Sequence, residues 1–395
     1  MPRILRIINR LNLGGPTYNV AYLTKHLAPE FETLLVAGIK EDSEESSEYI
    51  LDEMNLKVVI LPSMQRRLNF FNDYNTYKQL LKLIKEYKPD IVHTHAAKAG
   101  AVGRIAAWRA GVPVIVHTFH GHVFHSYFSK FKTRLYIEIE RFLAKRSTAI
   151  VAISEIQKEE LALKYKICPE NKINVIHLGF DLSRFSKNIP EKRAGFRQKF
   201  NIGEEEIAIG IVGRIVPIKN HPLFLDAVKL LLEKTRKKVK VLVIGDGESR
   251  MSVQNHCKAI GLEFSEGRDF ASAPVLFTSW IKEIDEAYAG LDIVALSSLN
   301  EGTPVSLIEA QAAGKPIVST RVGGIENVVH QGKSALLCDQ DPAAFAAHLL
   351  TLVEDPNLRA SMSNEGKLVK ERFTYMRLVE NTRKLYYKLL QSNIN

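Results

Sequence analysis

Short apolar runs of four to eight residues alternate with amphipathic stretches of ten to fifteen along most of the chain. That rhythm predicts strands joined by helices, the arrangement of βαβ units and parallel sheets. In the first half it places strands at 4–8, 33–37, 58–61, 91–95, 114–118, 149–153 and 173–176, and helices at 17–27, 74–87, 99–110, 129–144 and 155–165. Pro89-Asp90 and Gly111-Val112-Pro113 punctuate two of the helix-to-strand turns. A charged, non-periodic stretch at 181–206, with Pro190 inside it, reads as an interdomain linker. The pattern then restarts, with strands at 207–212, 239–244, 275–277, 293–297 and 316–319 and helices at 222–234, 251–260, 281–289 and 304–313. Three further helices are expected from Pro342 onward. The fold class is therefore α/β, with two consecutive doubly wound domains. Ligands in such sheets bind at the carboxyl ends of strands, so the crevice between the domains is the default site.

Composition narrows this picture only a little. At 395 residues, 46% hydrophobic and 25% charged, the chain has the make-up of a soluble protein and ample core for two domains. Lys and Arg outnumber Asp and Glu by 54 to 44, and a net charge of +10 favours anionic partners. Cys168, Cys257 and Cys338 are scattered and form no CxxC, which points to a reducing compartment. The first eleven residues lack the apolar core of a signal peptide. The stretch 110–129 is free of Lys, Arg, Asp and Glu, but it contains Gly111, Pro113, Gly121 and four histidines, so no membrane span is expected there.

Candidate chemistry gathers in the turns after predicted strands. Glu301-Gly302-Thr303-Pro304-Val305-Ser306-Leu307-Ile308-Glu309 follows the strand at 293–297. Thr303 suits an N-cap and Pro304 the first helical position, so the N–H groups of Val305 and Ser306 should face an anion. Glu301 and Glu309 could then grip hydroxyls flanking a phosphate, although a solvated Glu301 and an ordinary helix charge at Glu309 fit the spacing equally well. Gly213-Arg214 and Lys219-Asn220 set two cations five residues apart in a strand-to-helix loop, either to neutralise a diphosphate leaving group or as a solvated basic loop. Gly14-Gly15 after the first strand offers a close backbone approach or merely a tight turn.

Six histidines (His93, His95, His117, His120, His122 and His125) cluster at two strand ends. No nearby Asp supports a metal site, so one or two imidazoles are expected to meet a sugar or acceptor, with His93 and His117 serving the core. Gly245-Asp246-Gly247-Glu248-Ser249-Arg250 lacks the third glycine of a dinucleotide fingerprint, which disfavours a nicotinamide enzyme and leaves a turn near a nucleotide base. Between 119 and 147, six basic residues face only Glu138 and Glu140, interleaved with Phe124, Tyr127, Phe128, Phe131, Tyr136 and Phe142. A membrane-surface helix and a surface helix with core-facing aromatics both fit; nucleic acid does not, for want of a binding motif.

Together these segments resemble the retaining glycosyltransferases of family 4, which have the GT-B fold of two Rossmann-like domains facing a central cleft. The resemblance runs over nearly the whole chain and keeps the family's order: Gly14-Gly15, Thr118-Phe119-His120, Gly213-Arg214 with Lys219, Glu301 with Glu309, and Gly323-Gly324. His93-Thr94-His95-Ala96-Ala97-Lys98-Ala99-Gly100 looks most like the bacterial enzymes of exopolysaccharide, lipopolysaccharide and lipid-linked oligosaccharide synthesis. The resemblance implies an acceptor-side domain at 1–184, to which 375–395 returns, and a nucleotide-sugar-binding domain at 185–374. It implies that Arg214 and Lys219 bind the donor diphosphate, that Glu309 holds the ribose, and that Glu301 and His120 contact the donor sugar. Backbone from Gly302 through Thr303, Pro304 and Val305 to Ser306 would lie near the phosphates, while Gly14 and Gly15 let the first domain close over them. The donor implied is a UDP-sugar and the acceptor a lipid-linked sugar or growing glycan, with no metal and no cofactor. A cytoplasmic location, at the inner face of the plasma membrane, follows from such an acceptor. A UDP-sugar 2-epimerase of the same fold is the alternative, although no carboxylate acid–base set stands out for it. Two departures from the family pattern are His177-Leu178-Gly179-Phe180-Asp181 and Asn220.

Overall fold

The computed structural model describes the chain except for residues 12–14, 40–46, 66–68, 122–129, 268–272, 367 and 393–395. Contacts divide it into two units, Met1–Phe180 with Phe373–Asn395, and Asp181–Arg372.

The first unit is built on seven parallel strands: β1 (Arg3–Ile8), β2 (Glu32–Gly38), β3 (Val58–Leu61), β4 (Ile91–His95), β5 (Val114–Phe119), β6 (Ala149–Ala152) and β7 (Ile173–Val175), in the order β3-β2-β1-β4-β5-β6-β7. Helices α1 (Gly15–His26), α2 (Glu48–Glu53), α3 (Phe70–Tyr87), α4 (Ala97–Arg109), α5 (Lys130–Lys145) and α6 (Glu155–Glu159) connect them. The strands are apolar without alternation because helices cover both faces of the sheet. Leu5, Ile7 and Val92 pack with Leu80, Ile84 and Ala106 on one side. On the other, Ile4, Leu23 and Val116 pack with Leu378, Leu385 and Tyr386 of the chain's last helix.

The second unit repeats the plan. It contains α7 (Ile189–Lys199), β8 (Ile207–Val212), α8 (His221–Lys234), β9 (Val239–Ile244), α9 (Arg250–Ala259), β10 (Phe264–Glu266), β11 (Val275–Ser279), α10 (Ile284–Gly290), β12 (Ile293–Leu296), α11 (Val305–Ala312), β13 (Ile317–Thr320), β14 (Ala335–Cys338), α12 (Pro342–Glu354), α13 (Pro356–Gly366) and α14 (Val369–Arg372). Its sheet, again parallel, has the order β10-β11-β9-β8-β12-β13-β14. The strand order reverses between β8 and β12, so the crevice outside their carboxyl ends is where this architecture receives ligands. The last helix, α15 (Tyr375–Ser392), belongs to the first unit. Gly179 makes its docking possible, because a Cβ there would lie 2.7 Å from Tyr375 Cα.

The described residues correct the pattern in several places. The stretch expected to be a linker holds α7, whose Phe196 is buried against Gly290. Two of its charges are turned inward: Arg193 and Arg197 both pair with Asp292, at 2.8 and 3.2 Å, while Glu191 and Lys199 face water. Strands β10 and β14 and helix α2 escape the pattern because three to six residues are too short to show a period. Residues 155–165 form one α-helical turn that widens into a π-helix at Glu160–Lys164. The helices beyond Pro342 number four among the described residues. No helix of the described residues is long and apolar enough to cross a membrane.

A buried ion pair fastens α5 to α4. Arg104 donates from Nη2 to Glu140 Oε2 at 2.7 Å, with both side chains almost wholly out of water. Removing one partner of such a pair strands the other charge. Glu140→Ala should lower stability by about 3–5 kcal/mol in chemical denaturation; a loss below about 1 kcal/mol would mean that solvent or another group takes over Arg104.

Candidate active site

Each unit carries its polar cluster at the carboxyl edge of its own sheet. In the second unit the loops after β8 and β12 meet at the switch point. Ser297 donates to the carbonyls of Lys219 and Asn220, both at 3.0 Å, and Leu299 N donates to Ile218 O at 2.8 Å. Asn220 sits at φ +48°, a left-handed position that glycine or asparagine takes most readily, which accounts for this departure from the family pattern.

Glu301 is anchored at this junction. Its Oε1 accepts from Lys219 Nζ and from Ser298 Oγ, each at 2.6 Å, and its carbonyl accepts from Gly324 N at 2.8 Å. The two glycines after β13 let that loop press backbone to backbone: a Cβ at Gly323 would lie 2.1 Å from Glu301 O, and one at Gly324 would lie 1.7 Å from Gly302 O. Lys219 and Glu301 therefore hold each other, whereas Arg214 is exposed and has no polar partner among the described residues. Gly245 and Gly247 support the Arg214 loop in the same way, since Cβ atoms there would fall 2.0 Å from Gly213 O and 2.4 Å from Ile215 O. The Gly-Asp-Gly turn thus braces the β8 loop, with Asp246 accepting from Ser279 Oγ at 2.7 Å and Arg250 Nη1 at 3.2 Å.

The helix expected after Glu301 is α11, but its cap differs from the expectation. Pro304, not Thr303, is the N-cap, and no side chain caps the helix. Leu307 N and Ile308 N both donate to Pro304 O, so the N–H groups of Val305 and Ser306 lie ahead of the first helical bonds. Thr303 Oγ1 is buried with no hydrogen-bond partner. Two turns of α11 carry Glu309, whose carboxyl is pushed up to about 7 by burial, against the opposing pull of the Tyr288 hydroxyl and Arg184. Tyr288, fully buried on α10, gives its one hydroxyl proton to Ser306 O at 3.0 Å while its side chain meets the Glu309 carboxyl, and so ties the start of α11 to Glu309. Sequence patterning missed Tyr288 and Ser298, because a core tyrosine and a strand-end serine carry no spacing signal.

In the first unit, Gly14 lies outside the described residues, as do His122 and His125, while Gly15 opens α1 and is buried. His120 follows β5, and its Nε2 lies 2.9 Å from His95 Nδ1. Burial lowers His120 to about 4, and His95 well below the usual range, so this pair shares its hydrogen bond as neutral imidazoles. His120 Nδ1 is buried and unpartnered. His93 has a definite tautomer: Arg6 can only donate, and it approaches both His93 Nδ1 and Tyr386 Oη. His93 Nδ1 must then accept, taking the Tyr386 proton at 2.6 Å, and Nε2–H donates to Thr118 Oγ1 at 2.7 Å. His117 meets Thr94 Oγ1 at 2.8 Å, and Gly100 leaves room for its ring. His93 and His117 thus serve the core, and the unpredicted partner is His95.

Two family models match the chain, "Glycosyltransferase Family 4" over residues 13–184 and "Glycosyl transferases group 1" over residues 192–369. A UDP-Gal:alpha-D-GlcNAc-diphosphoundecaprenol alpha-1,3-galactosyltransferase of Escherichia coli is 29% identical, over 89% of this chain and 88% of its own. A D-inositol 3-phosphate glycosyltransferase of Jonesia denitrificans is 30% identical over 72% and 68%. Among solved structures, Anabaena HepE in complex with UDP-glucose superposes with a TM-score of 0.81 at 20% identity, covering 98% of this chain and all of the other.

Glu309 has a pKa raised from 4.5 in the unfolded chain to about 7 in the folded one. The folded state therefore holds the extra proton between those values, and the stability tied to it is complete below 4.5 and lost as pH rises through 7. Glu309→Gln should match wild type in acid and exceed it in thermal midpoint above neutrality; parallel midpoint-against-pH curves would contradict the assignment.

Proposed function

We propose, because the chain belongs to the glycosyltransferases that join a Family 4 domain to a group 1 domain on the GT-B fold, that it is a retaining, metal-independent enzyme. It moves a sugar from a nucleotide-sugar, a UDP-sugar, to a lipid-linked or polysaccharide acceptor in bacterial cell-surface glycan synthesis, on the cytoplasmic side. The observation that carries this reading is the convergence of Arg214, Lys219, Glu301 and the α11 N-terminus on the β8/β12 switch point. The donor assignment draws further support from the UDP-Gal in the name of the Escherichia coli relative and the UDP-glucose in the HepE complex.

The chemistry follows from where charge develops. The bond from the anomeric carbon to the diphosphate oxygen breaks through an oxocarbenium-like state. The acceptor oxygen bonds to that carbon from the same face, and its proton passes to the departing diphosphate. Negative charge then grows on the leaving group, and fixed cations and N–H dipoles stabilise it more strongly than mobile water does. Arg214 supplies an unpaired guanidinium and Lys219 a second charge, released from Glu301 as the phosphates arrive. Glu301, freed in the same exchange, turns to the sugar hydroxyls. Gly302 to Ser306 present backbone to the phosphates, Thr303 Oγ1 offers its unused hydroxyl, and Glu309 accepts from the ribose. His120 Nδ1 meets the sugar, held in orientation by His95.

The test is incubation with labelled UDP-sugars, with and without bacterial lipid extract, followed by partition into organic solvent. Lipid-dependent label in the organic phase, unaffected by chelator and carrying the donor's anomeric configuration, is expected. Arg214→Ala and Glu301→Ala should each reduce turnover by about 10²–10³-fold with the fold intact. Full activity in both variants, or a 2-epimerised sugar nucleotide as the sole product, would overturn the reading.

A further inference from the structure

Arg6 is a buried cation without a counter-ion among the described residues. It leaves β1 for the core of the first unit and has no exposed surface. Only Nη1 has partners, His93 Nδ1 at 3.4 Å and Tyr386 Oη at 3.3 Å; Nε and Nη2 have none. The other deeply buried arginines are neutralised. Arg104 meets Glu140 at 2.7 Å, and Arg197 meets Asp292 at 3.2 Å together with the carbonyls of Gly290 and Glu206. A guanidinium stripped of water and left without a carboxylate destabilises a fold, so stability does not account for Arg6.

Beside it stands a column of imidazoles. Arg6 lies in register with His93 across β1 and β4. The rings of His93 and His95 are 4.3 Å apart and those of His95 and His120 5.2 Å apart, with His95 Nδ1 2.9 Å from His120 Nε2. Two rings joined in this way titrate as one unit, and an added proton can rest on either. The outer nitrogens, His95 Nε2 and His120 Nδ1, are buried and unpartnered, so no acceptor stands ready to steady an imidazolium. The fixed charges that bear on these rings among the described residues are cationic: Arg6 on His93 and His95, and Arg104 of α4 on the neighbouring His117. Glu140 of α5 is taken up by Arg104, and burial holds the proton on Tyr386 of α15.

We propose that Arg6 is a positioning residue that acts through His93 and His95: its uncompensated charge keeps an added proton off the His95–His120 pair, so that His120 meets its ligand as a neutral imidazole. This effect belongs to the first unit and does not need the glycosyltransferase reading. Its purpose rests on that reading, in which an imidazolium beside a developing oxocarbenium ion would oppose the reaction.

The test is an NMR titration of the full chain, labelled in its histidine rings, from about pH 8 to about pH 5, with the His95 and His120 signals assigned by single substitution. In wild type both rings should stay neutral over that range, His120 taking its proton only at about 4. Arg6→Met conserves volume and removes the charge, so the pair should take up its proton about one to two pH units higher. Its thermal midpoint should hold or rise, because an apolar chain replaces an unpaired charge. Arg6→Gln, a second neutral replacement, should move the titration in the same direction. Tyr386→Phe keeps the charge and loses the hydroxyl; it should lower the midpoint and leave the titration where it is. Turnover of Arg6→Met relative to wild type should fall about threefold or more between about pH 7 and about pH 5, a ratio in which the Glu309 titration cancels. A titration that neither Arg6 variant moves overturns the proposal, since burial alone would then keep the rings neutral. So does a wild-type midpoint that rises with chloride or nitrate at fixed ionic strength and that Arg6→Met makes insensitive, which would give Arg6 a bound anion as its counter-ion. A shifted titration in a protein that transfers no sugar would sink the glycosyltransferase reading and leave the role of Arg6 standing.

Discussion

Backbone-to-backbone contact between loops governs the carboxyl edge of the second sheet. Glycines at 245 and 247 bring the β9 turn onto the β8 loop, and those at 323 and 324 bring the β13 turn onto Glu301 and Gly302. Side chains at these positions would hold the loops apart by the width of a methyl group or more. The contacts therefore set how close Arg214, Lys219 and Glu301 sit to the start of α11. Rigid elements placed in this way spare a site the reorganisation that mobile dipoles require.

The electrostatics of the molecule show a consistent habit of internal partnership. Lys219 is matched to Glu301, Glu309 to Tyr288, and His120 to His95. These bonds keep half-buried polar groups satisfied, where unpaired ones would be costly. They also make the arrangement responsive, because a ligand that competes for one partner liberates the other. Arg214, exposed and unpaired among the described residues, is the natural first contact for an anion approaching from water.

Most strands were legible because both faces of each sheet are covered, which turns the strands into continuous apolar runs such as 207–212 and 91–95. Helix α7 was not, because its arginines satisfy an aspartate nearly a hundred residues away, and a charge run paired at long range looks the same as a solvated one. The catalytic candidates stood out by residue type and by position after strands. Their supports did not: Tyr288, Ser298 and His95 act through single contacts that only three-dimensional proximity reveals. The cap of α11 was misplaced by one residue, since Thr303 and Pro304 both suit a helix start and the backbone chose the proline. On α5 the sequence left open which way the aromatics face, and the helix answers with both: Tyr136 packs inward while Phe131 and Phe142 point outward.

The first unit encloses residues from both ends of the chain, with Leu378, Leu385 and Tyr386 of α15 filling the core around Ile4 and Val116. Tyr386 also supplies the hydroxyl that His93 Nδ1 meets at 2.6 Å. During synthesis, the domain that leaves the ribosome first must therefore wait for the last helix to be translated before that face can close. Throughout translation of Asp181–Arg372, the apolar surface destined for α15 faces water, or a chaperone, with its natural occupant not yet made. The second unit has all its strands and helices in one continuous segment, so it can fold as soon as it emerges. The order of completion is thus the reverse of the order of synthesis.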